Sequence, residues 1–222
     1  LDTSFDGDGK VVNDLSGDSD HLQSAVLQAD GKIVVGGSSD GLALDFVLAR
    51  YNANGSLDPS FDGDGLLSTD IDGDADACTA LVVQPDGKIL AAGYTANPSN
   101  YNFALVRYNP DGSLDVTFDG DGKLESDLTG GNDRAMSLAL QPNGKIIAAG
   151  YGTGTLYDFA LARYHPDGSW DTTFDGDGRV LTDFIANGDY AYAVLLQPDG
   201  KIVAAGYAFD IVAGDFAVAR YK

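Results

Sequence analysis

Four pairs of aspartates carry the most explicit chemistry in this sequence. Asp6 and Asp8, Asp62 and Asp64, Asp119 and Asp121, and Asp175 and Asp177 each sit in the tetrapeptide D-G-D-G. Two carboxylates two residues apart, with glycines freeing the backbone carbonyls, suit a hard cation, and Ca²⁺ is the expected ion. An EF-hand is excluded, because no third Asp precedes a Gly and no Glu closes a 12-residue loop. The competing reading is that Asp-Gly pairs simply build tight turns. A second acidic loop, D-I-D-G-D-A-D from Asp70 to Asp76, also offers metal ligands, and its relatives in the other copies are poorer.

Tyrosine is the second group. Of eleven, Tyr51, Tyr108, Tyr164 and Tyr221 recur at one repeated position. The other seven, Tyr94, Tyr101, Tyr151, Tyr157, Tyr190, Tyr192 and Tyr207, fall in or beside the connections that differ most between copies. Aromatic rings beside carboxylates and amides suit a sugar or peptide ligand, by stacking and hydrogen bonding. Tyr94, Tyr151 and Tyr207 share a column and are expected to pack between repeats. Tyr101, Tyr157 and Tyr190 are the expected ligand-binding residues.

Catalytic signals are weak, and no catalytic residue is expected. His21 and His165 fall in unrelated columns, which argues against a histidine-based triad. Nearly all carboxylates repeat fourfold, whereas a catalytic pair normally breaks repeat symmetry. No P-loop is present. The expectation is a protein that is not an enzyme. A glycan-acting enzyme is the alternative, and it needs a non-repeated carboxylate pair on the variable face.

The elements that position these groups come from an internal repeat. A-V-L-Q-A-D-G-K-I-V-V-G-G, Ala25 to Gly37, returns three times, anchored on Gln28, Gln84, Gln141 and Gln197, a period of 56 or 57 residues. Each copy is two apolar β-rich runs about a Pro-Asp-Gly type of turn, a hairpin signal. Such a unit cannot bury its own apolar faces and must stack on neighbours. Within each copy, L-D-x-x-F reads as one short helical turn: Asp2, Asp58, Asp115 and Asp171 stand at the N-cap and Phe5, Phe61, Phe118 and Phe174 are buried. D-G-D-G follows, then a strand such as Lys10 to Leu15, an acidic loop, the hairpin strands Ala25 to Gln28 and Lys32 to Gly37, and a strand typified by Asp45 to Tyr51.

Four short strands per copy make an all-β protein, a four-bladed β-propeller of four-stranded antiparallel blades, and one domain over residues 1–222 with repeats starting near 1, 57, 114 and 170. Pairing Lys10 to Leu15 with Phe216 to Tyr221 is expected to close the ring and remove two unpaired edges; an open fragment of a longer array is the alternative. The glycine column Gly37, Gly93, Gly150 and Gly206 is read as close backbone approach between blades, and Ser24, Ala80, Ser137 and Ala193 as a crowded centre. Arg50, Arg107, Arg163 and Arg220 are read as structural ion pairs with a neighbouring aspartate such as Asp14 and its equivalents.

Net charge is −21 and the sequence pI about 4.1. This repels phosphate backbones and anionic membranes, so no nucleic-acid partner is expected. Eleven of the thirteen basic residues sit at repeated positions, leaving Arg134 and Lys222 outside, so no basic patch forms. The single Cys78 excludes a disulfide within one chain, and no apolar run is long enough for a membrane insertion. The chain begins inside a repeat, which reads as an excised mature segment.

The strings L-D-x-x-F-D-G-D-G-K-V, A-x-x-L-Q-P-D-G-K-I-V-x-A-G and D-F-A-L-A-R-Y-N-P-D-G-S resemble the delta-60 repeats of bacterial secreted and surface proteins, over the whole chain in four copies. The departures are small: Ala29, Asn143 and Leu66 replace the usual turn proline, turn aspartate and basic residue. The resemblance implies a propeller in an extracellular or cell-surface setting and carries no activity. The functional expectation is a binding or adhesion module for a glycan or a surface protein, possessing Ca²⁺ as its only cofactor. The alternatives are a repeat protein self-assembling into a filament or surface layer, and the glycan-acting enzyme.

Overall fold

A computed structural model of the protein describes residues 1–15, 19–39, 45–72, 75–154, 156–185, 187–210 and 212–222. Among these residues all regular structure is β. The strands are β1 (Asp20–Leu27), β2 (Ile33–Ser39), β3 (Asp45–Tyr51), β4 (Leu66–Thr69), β5 (Asp76–Val83), β6 (Ile89–Ala96), β7 (Tyr101–Tyr108), β8 (Lys123–Ser126), β9 (Asp133–Leu140), β10 (Ile146–Thr153), β11 (Tyr157–Tyr164), β12 (Arg179–Thr182), β13 (Gly188–Leu196), β14 (Ile202–Phe209) and β15 (Gly214–Tyr221). They form four antiparallel meanders, β1 to β4, β5 to β8, β9 to β12 and β13 to β15, the last with three strands. These are the four blades of a propeller-type arrangement.

The blades stack because each carries apolar residues on both faces. Val34, Phe46 and Leu48 of the first blade pack on Ile89, Ala91 and Val106 of the second. Leu90, Phe103 and Leu105 on the second blade's other face pack on Ile146, Ala148 and Ala162 of the third. Ile147, Phe159 and Leu161 of the third meet Ile202, Ala204 and Ala217 of the fourth. Period-2 alternation sends successive side chains to opposite faces, so one hydrophobic strand feeds two interfaces. The innermost strands adjoin in order, and the small column ties them: Ser24 Oγ accepts from Leu81 N at 3.0 Å, and Ser137 Oγ from Val194 N at 3.1 Å.

Each first hairpin strand is bulged, at Leu22/Ser24, Cys78/Ala80, Ala135/Ser137 and Ala191/Ala193. The bulge drives a carbonyl over the facing glycine. A Cβ on Gly93 would stand 1.8 Å from Ala77 O, and the same holds for Gly37 with His21 O and Gly206 with Tyr190 O. The close approach is therefore within a blade, not between blades as expected.

Three further expectations are corrected. L-D-x-x-F is a turn and not a helix: Phe61 N donates to Asp58 O at 3.0 Å and Gly65 N to Phe61 O at 2.7 Å, and the glycine's positive φ ends it there. Asp58 does cap it, accepting from Ser60 N at 3.1 Å. The arginine column pairs with this capping aspartate and not with the Asp14 column: Arg50 Nε to Asp58 Oδ2 is 2.7 Å and Arg107 Nε to Asp115 Oδ2 is 2.6 Å. Finally, the closing pair is not formed. Lys10–Leu15 makes no ladder, β15 has no outer neighbour among the described residues, Val12 is 95 % exposed and Phe216 fully exposed. The segment instead flanks the first blade, where Tyr51 Oη donates to Asn13 Oδ1 at 2.9 Å. That contact matches Tyr108 to Thr69 and Tyr221 to Thr182, which link later blades to the outer strand before them. The outer strands that do form follow their partner strand in the same repeat, β4 after the connection 52–65, whereas this one would have to pair across nearly the whole chain, at a larger loop-closure cost.

Candidate functional site: a tyrosine rim and two carboxylate triads

The variable connections and the acidic loops share one rim of the blades. Tyr101 N donates to Asn132 Oδ1 at 3.0 Å, which joins the loop region before β7 to the loop before β9. On this rim the non-framework tyrosines form two groups. Between the second and third blades, Tyr94 and Tyr101 meet edge to face at 5.3 Å, and the Arg134 guanidinium lies 4.3 and 4.2 Å from their ring centroids. Between the third and fourth blades, Tyr151 contacts Tyr157 at 5.3 Å and Tyr190 at 4.9 Å, Tyr157 contacts Tyr190 at 5.2 Å, and Tyr190 and Tyr192 both meet Tyr207. Edge and offset contacts of this kind satisfy the ring quadrupoles and hold the rings in fixed poses.

The second group opens into a cleft of about 360 Å³ lined by Leu156, Tyr157, Asn187, Gly188, Tyr190, Tyr207 and Phe209. Two of the three expected ligand residues, Tyr157 and Tyr190, thus meet in one cleft. Tyr101 stands apart under Arg134. The sequence reading missed Arg134, whose signal was its position outside the basic columns, and the lining roles of Tyr207 and Phe209, for which repetition alone gave no cue.

The rim also gathers carboxylates. One oxygen from each of Asp45, Asp70 and Asp76 lies within 4.8 Å of one from each of the others, and the same is true of Asp158, Asp183 and Asp189. Each triad takes its members from the start of a third blade strand, the end of the outer strand, and the first strand of the next blade. Such groups of acidic side chains are able to hold a metal ion. Burial pushes the Asp76 carboxyl up to about 6, and Asp72 and Asp70 add to that against hydrogen bonds that oppose it. Burial also raises Asp158, with Asp183 and Asp189 contributing.

The D-G-D-G aspartates are placed elsewhere. Asp6, Asp62, Asp119 and Asp175 adopt positive φ of 47 to 51°, and the second aspartate caps its own turn, as Asp64 Oδ1 does by accepting from Leu66 N at 2.9 Å. Asp62 N donates to Asp111 O at 2.8 Å, so the motif docks on the next blade's turn. Among the described residues the structure gathers Asp6, Asp8, Asp62, Asp64, Asp119, Asp121, Asp175 and Asp177 into no cluster of three acidic side chains. A larger hollow of about 1040 Å³ lies at the hairpin turns of the first two blades, between Lys32, Arg50, Asp86 and Pro110. Its two cations are both occupied on Asp58 Oδ2.

The family model described as "Domain of unknown function (DUF5122) beta-propeller" matches residues 28–61, 84–118, 141–174 and 197–222, more than half of the chain. The chain belongs to this family. No curated protein matches it. Among solved structures, a protein of unknown function from Bacteroides caccae is 10 % identical with a TM-score of 0.50, over 91 % of this chain and 61 % of that one. Virginiamycin B lyase from Staphylococcus aureus is 14 % identical with a TM-score of 0.48, over 89 % and 54 %. The periplasmic gluconolactonase PpgL of Pseudomonas aeruginosa is 15 % identical with a TM-score of 0.49, over 90 % and 56 %. The chain spans little more than half the length of these structures, and likeness at such identity concerns the fold alone. The expectation of a protein that is not an enzyme is corrected here: the similar solved structures include a lyase and a gluconolactonase.

Proposed function

We propose that this propeller chain binds a glycan at the tyrosine rim between its third and fourth blades, in an extracellular or cell-surface setting. The observation that carries this reading is the cleft itself. Tyr157, Tyr190 and Tyr207 supply ring faces, Asn187 supplies an amide, and the volume of about 360 Å³ suits a sugar unit or the end of an oligosaccharide. The delta-60-type repeat supports the location. A glycan array with the wild-type chain and with Tyr157→Ala and Tyr190→Ala tests it. A stacked ring contributes on the order of 1 kcal/mol beyond its area burial, so each variant should bind several-fold more weakly. Incubating bound glycans with the protein and analysing the products reports any turnover in the same experiment. Binding that survives both changes contradicts the reading.

A second reading rests on a different observation. Among the described residues β15 offers an unpaired edge beside the exposed Phe216 and Val218, and such edges recruit strands. The Lys10–Leu15 segment, the match to β4, β8 and β12 by repeat position, is the strand whose sequence fits there, donated by a second copy. Light scattering over a concentration series should then show association that a chain lacking residues 1–16 loses. A monomer at all concentrations contradicts it.

A further inference from the structure

We propose that the triads Asp45–Asp70–Asp76 and Asp158–Asp183–Asp189 are two divalent-cation sites of Ca²⁺ type, one at the junction of the first and second blades and one at the junction of the third and fourth, and that the middle junction is not such a site.

Clustered carboxylates alone do not establish this; the hydrogen bonding of their most buried member does. Asp76 is fully buried, its Oδ2 accepts from Ile71 N at 2.7 Å, and its Oδ1 is buried without a hydrogen-bond partner, since the neighbouring Thr95 Oγ1 donates to Asp72 Oδ1 at 2.8 Å. Asp189 repeats this: it is fully buried, Oδ2 accepts from Phe184 N at 2.6 Å, and Oδ1 is buried and unpartnered. A buried carboxylate oxygen with no donor is costly, and more so beside two other carboxylates. A hard cation bound by one oxygen from each acid removes both penalties.

The middle junction supplies the internal comparison. By repeat position its three residues are Asn102, Asp127 and Asp133, so one acid is already neutral. Asp133 keeps the backbone bond, with Oδ2 accepting from Leu128 N at 2.7 Å. Its Oδ1, however, accepts from Thr129 Oγ1 at 2.6 Å. The equivalents of Thr129 are Asp72 and Ile185 in the other two loops, neither of which carries a hydroxyl. Asn102 Nδ2 donates to Glu125 Oε1 at 2.5 Å, and its buried Oδ1, although unpartnered, is a neutral amide oxygen that adds no third negative charge. At the middle junction the loop brings its own donor and the third acid is missing, whereas at the first and third junctions three acids converge on an oxygen that lacks one. That covariation within a single chain is what a bound cation would produce.

Three carboxylates drawn from two blades, most of them on strand ends, supply hard oxygen ligands in an irregular arrangement, which favours the geometrically tolerant Ca²⁺ over Mg²⁺ with its need for a near-ideal octahedron. At the chain's open flank Asp20 keeps the pattern, accepting from Leu15 N at 2.8 Å with Oδ1 unpartnered. Its third member by position, Asp215, lies on the edge strand β15 and joins no triad among the described residues.

The test is isothermal titration of the chelator-stripped chain with CaCl₂, repeated with MgCl₂ at matched ionic strength, together with thermal melting. Two Ca²⁺ per chain are expected, bound more tightly than Mg²⁺ by at least tenfold, with a saturable rise in melting temperature. Asp76→Asn and Asp158→Asn should each reduce the stoichiometry to one. Asp127→Asn and Asp64→Asn should leave it at two. If Asp76→Asn fails to fold, Asp45→Asn at the half-buried member replaces it, with the same expectation. No binding, an equal response to every salt, or loss of a site in Asp127→Asn or Asp64→Asn would overturn the assignment. None of these readouts depends on whether a glycan binds.

Discussion

Arg50 Nε and Lys32 Nζ both reach the same oxygen, Asp58 Oδ2, at 2.7 and 2.9 Å, while Asp58 Oδ1 caps the following turn through Ser60. One carboxylate thereby joins a hairpin turn, a strand and the turn that leads into the outer strand of the same blade. Arg50 also donates to Pro110 O of the neighbouring repeat and lies 4.7 Å over the Phe61 ring. Arg107–Asp115–Lys88 and Arg163–Asp171–Lys145 repeat the arrangement.

Removing the shared carboxylate leaves two cations without their partner, and breaking a buried ion pair from one side costs about 3–5 kcal/mol. Asp58→Asn is therefore expected to lower the melting temperature by roughly 6–20 °C, at about 2–4 °C per kcal/mol for a chain of this size. Asp64→Asn makes the same charge change on an exposed turn, retains an acceptor oxygen, and should shift stability by about 0.5 kcal/mol or less. Equal effects from the two would contradict a structural role for the triad.

The same groups set the acid limit. Burial is the strongest influence on Asp58, Asp115 and Asp171 and acts upward, but the lysine, the Ser or Thr hydroxyl and backbone, and the arginine together outweigh it. They hold all three well below the usual carboxylate range. Folded-state affinities for protons below the unfolded ones mean stability that is complete above about pH 4 and lost as pH falls below it. Denaturant midpoints measured from pH 6 to pH 2 should fall steeply below about pH 4, and Asp115→Asn should make that slope shallower. A flat profile would show that these carboxylates are not the acid-labile groups.

Gly93 tests the bulge. Its missing Cβ is all that separates it from Ala77 O, so Gly93→Ala must push the bulged strand away from its partner. Overpacking of this kind costs about 1–3 kcal/mol, and displacing backbone belongs at the upper end. Gly63→Ala meets no neighbour within 4 Å but has φ of 91°, so its cost is conformational only. Urea denaturation of the two variants should rank Gly93→Ala as the more damaging.

What the sequence disclosed follows from what repeats. The hairpins, the β3 boundaries and the stacking of blades came from period-2 runs and turn residues that recur fourfold. Asp58 looked like a helix cap because L-D-x-x-F and a capping turn share their first hydrogen bonds; its partnership with Arg50 depends on a register between segments eight residues apart, which no spacing rule gives. The closing strand failed because local pattern shows that Lys10–Leu15 is able to pair and says nothing of whether β15 comes within reach. At the site, Tyr157 and Tyr190 were visible as departures from the repeat. Of the acidic triads, the Asp70–Asp76 loop was visible as a possible metal site, whereas its third member Asp45 and the Asp158–Asp183–Asp189 group were not, since each triad draws its members from two adjoining blades.

The proposed glycan site stands or falls on where a sugar binds. A crystal structure of the chain with its tightest array glycan should show a sugar ring in the cleft between Tyr157, Tyr190 and Tyr207, within hydrogen-bonding reach of Asn187. A sugar seated in the hollow between Lys32, Arg50, Asp86 and Pro110 on the hairpin-turn face, or no bound sugar at millimolar concentration, would contradict it.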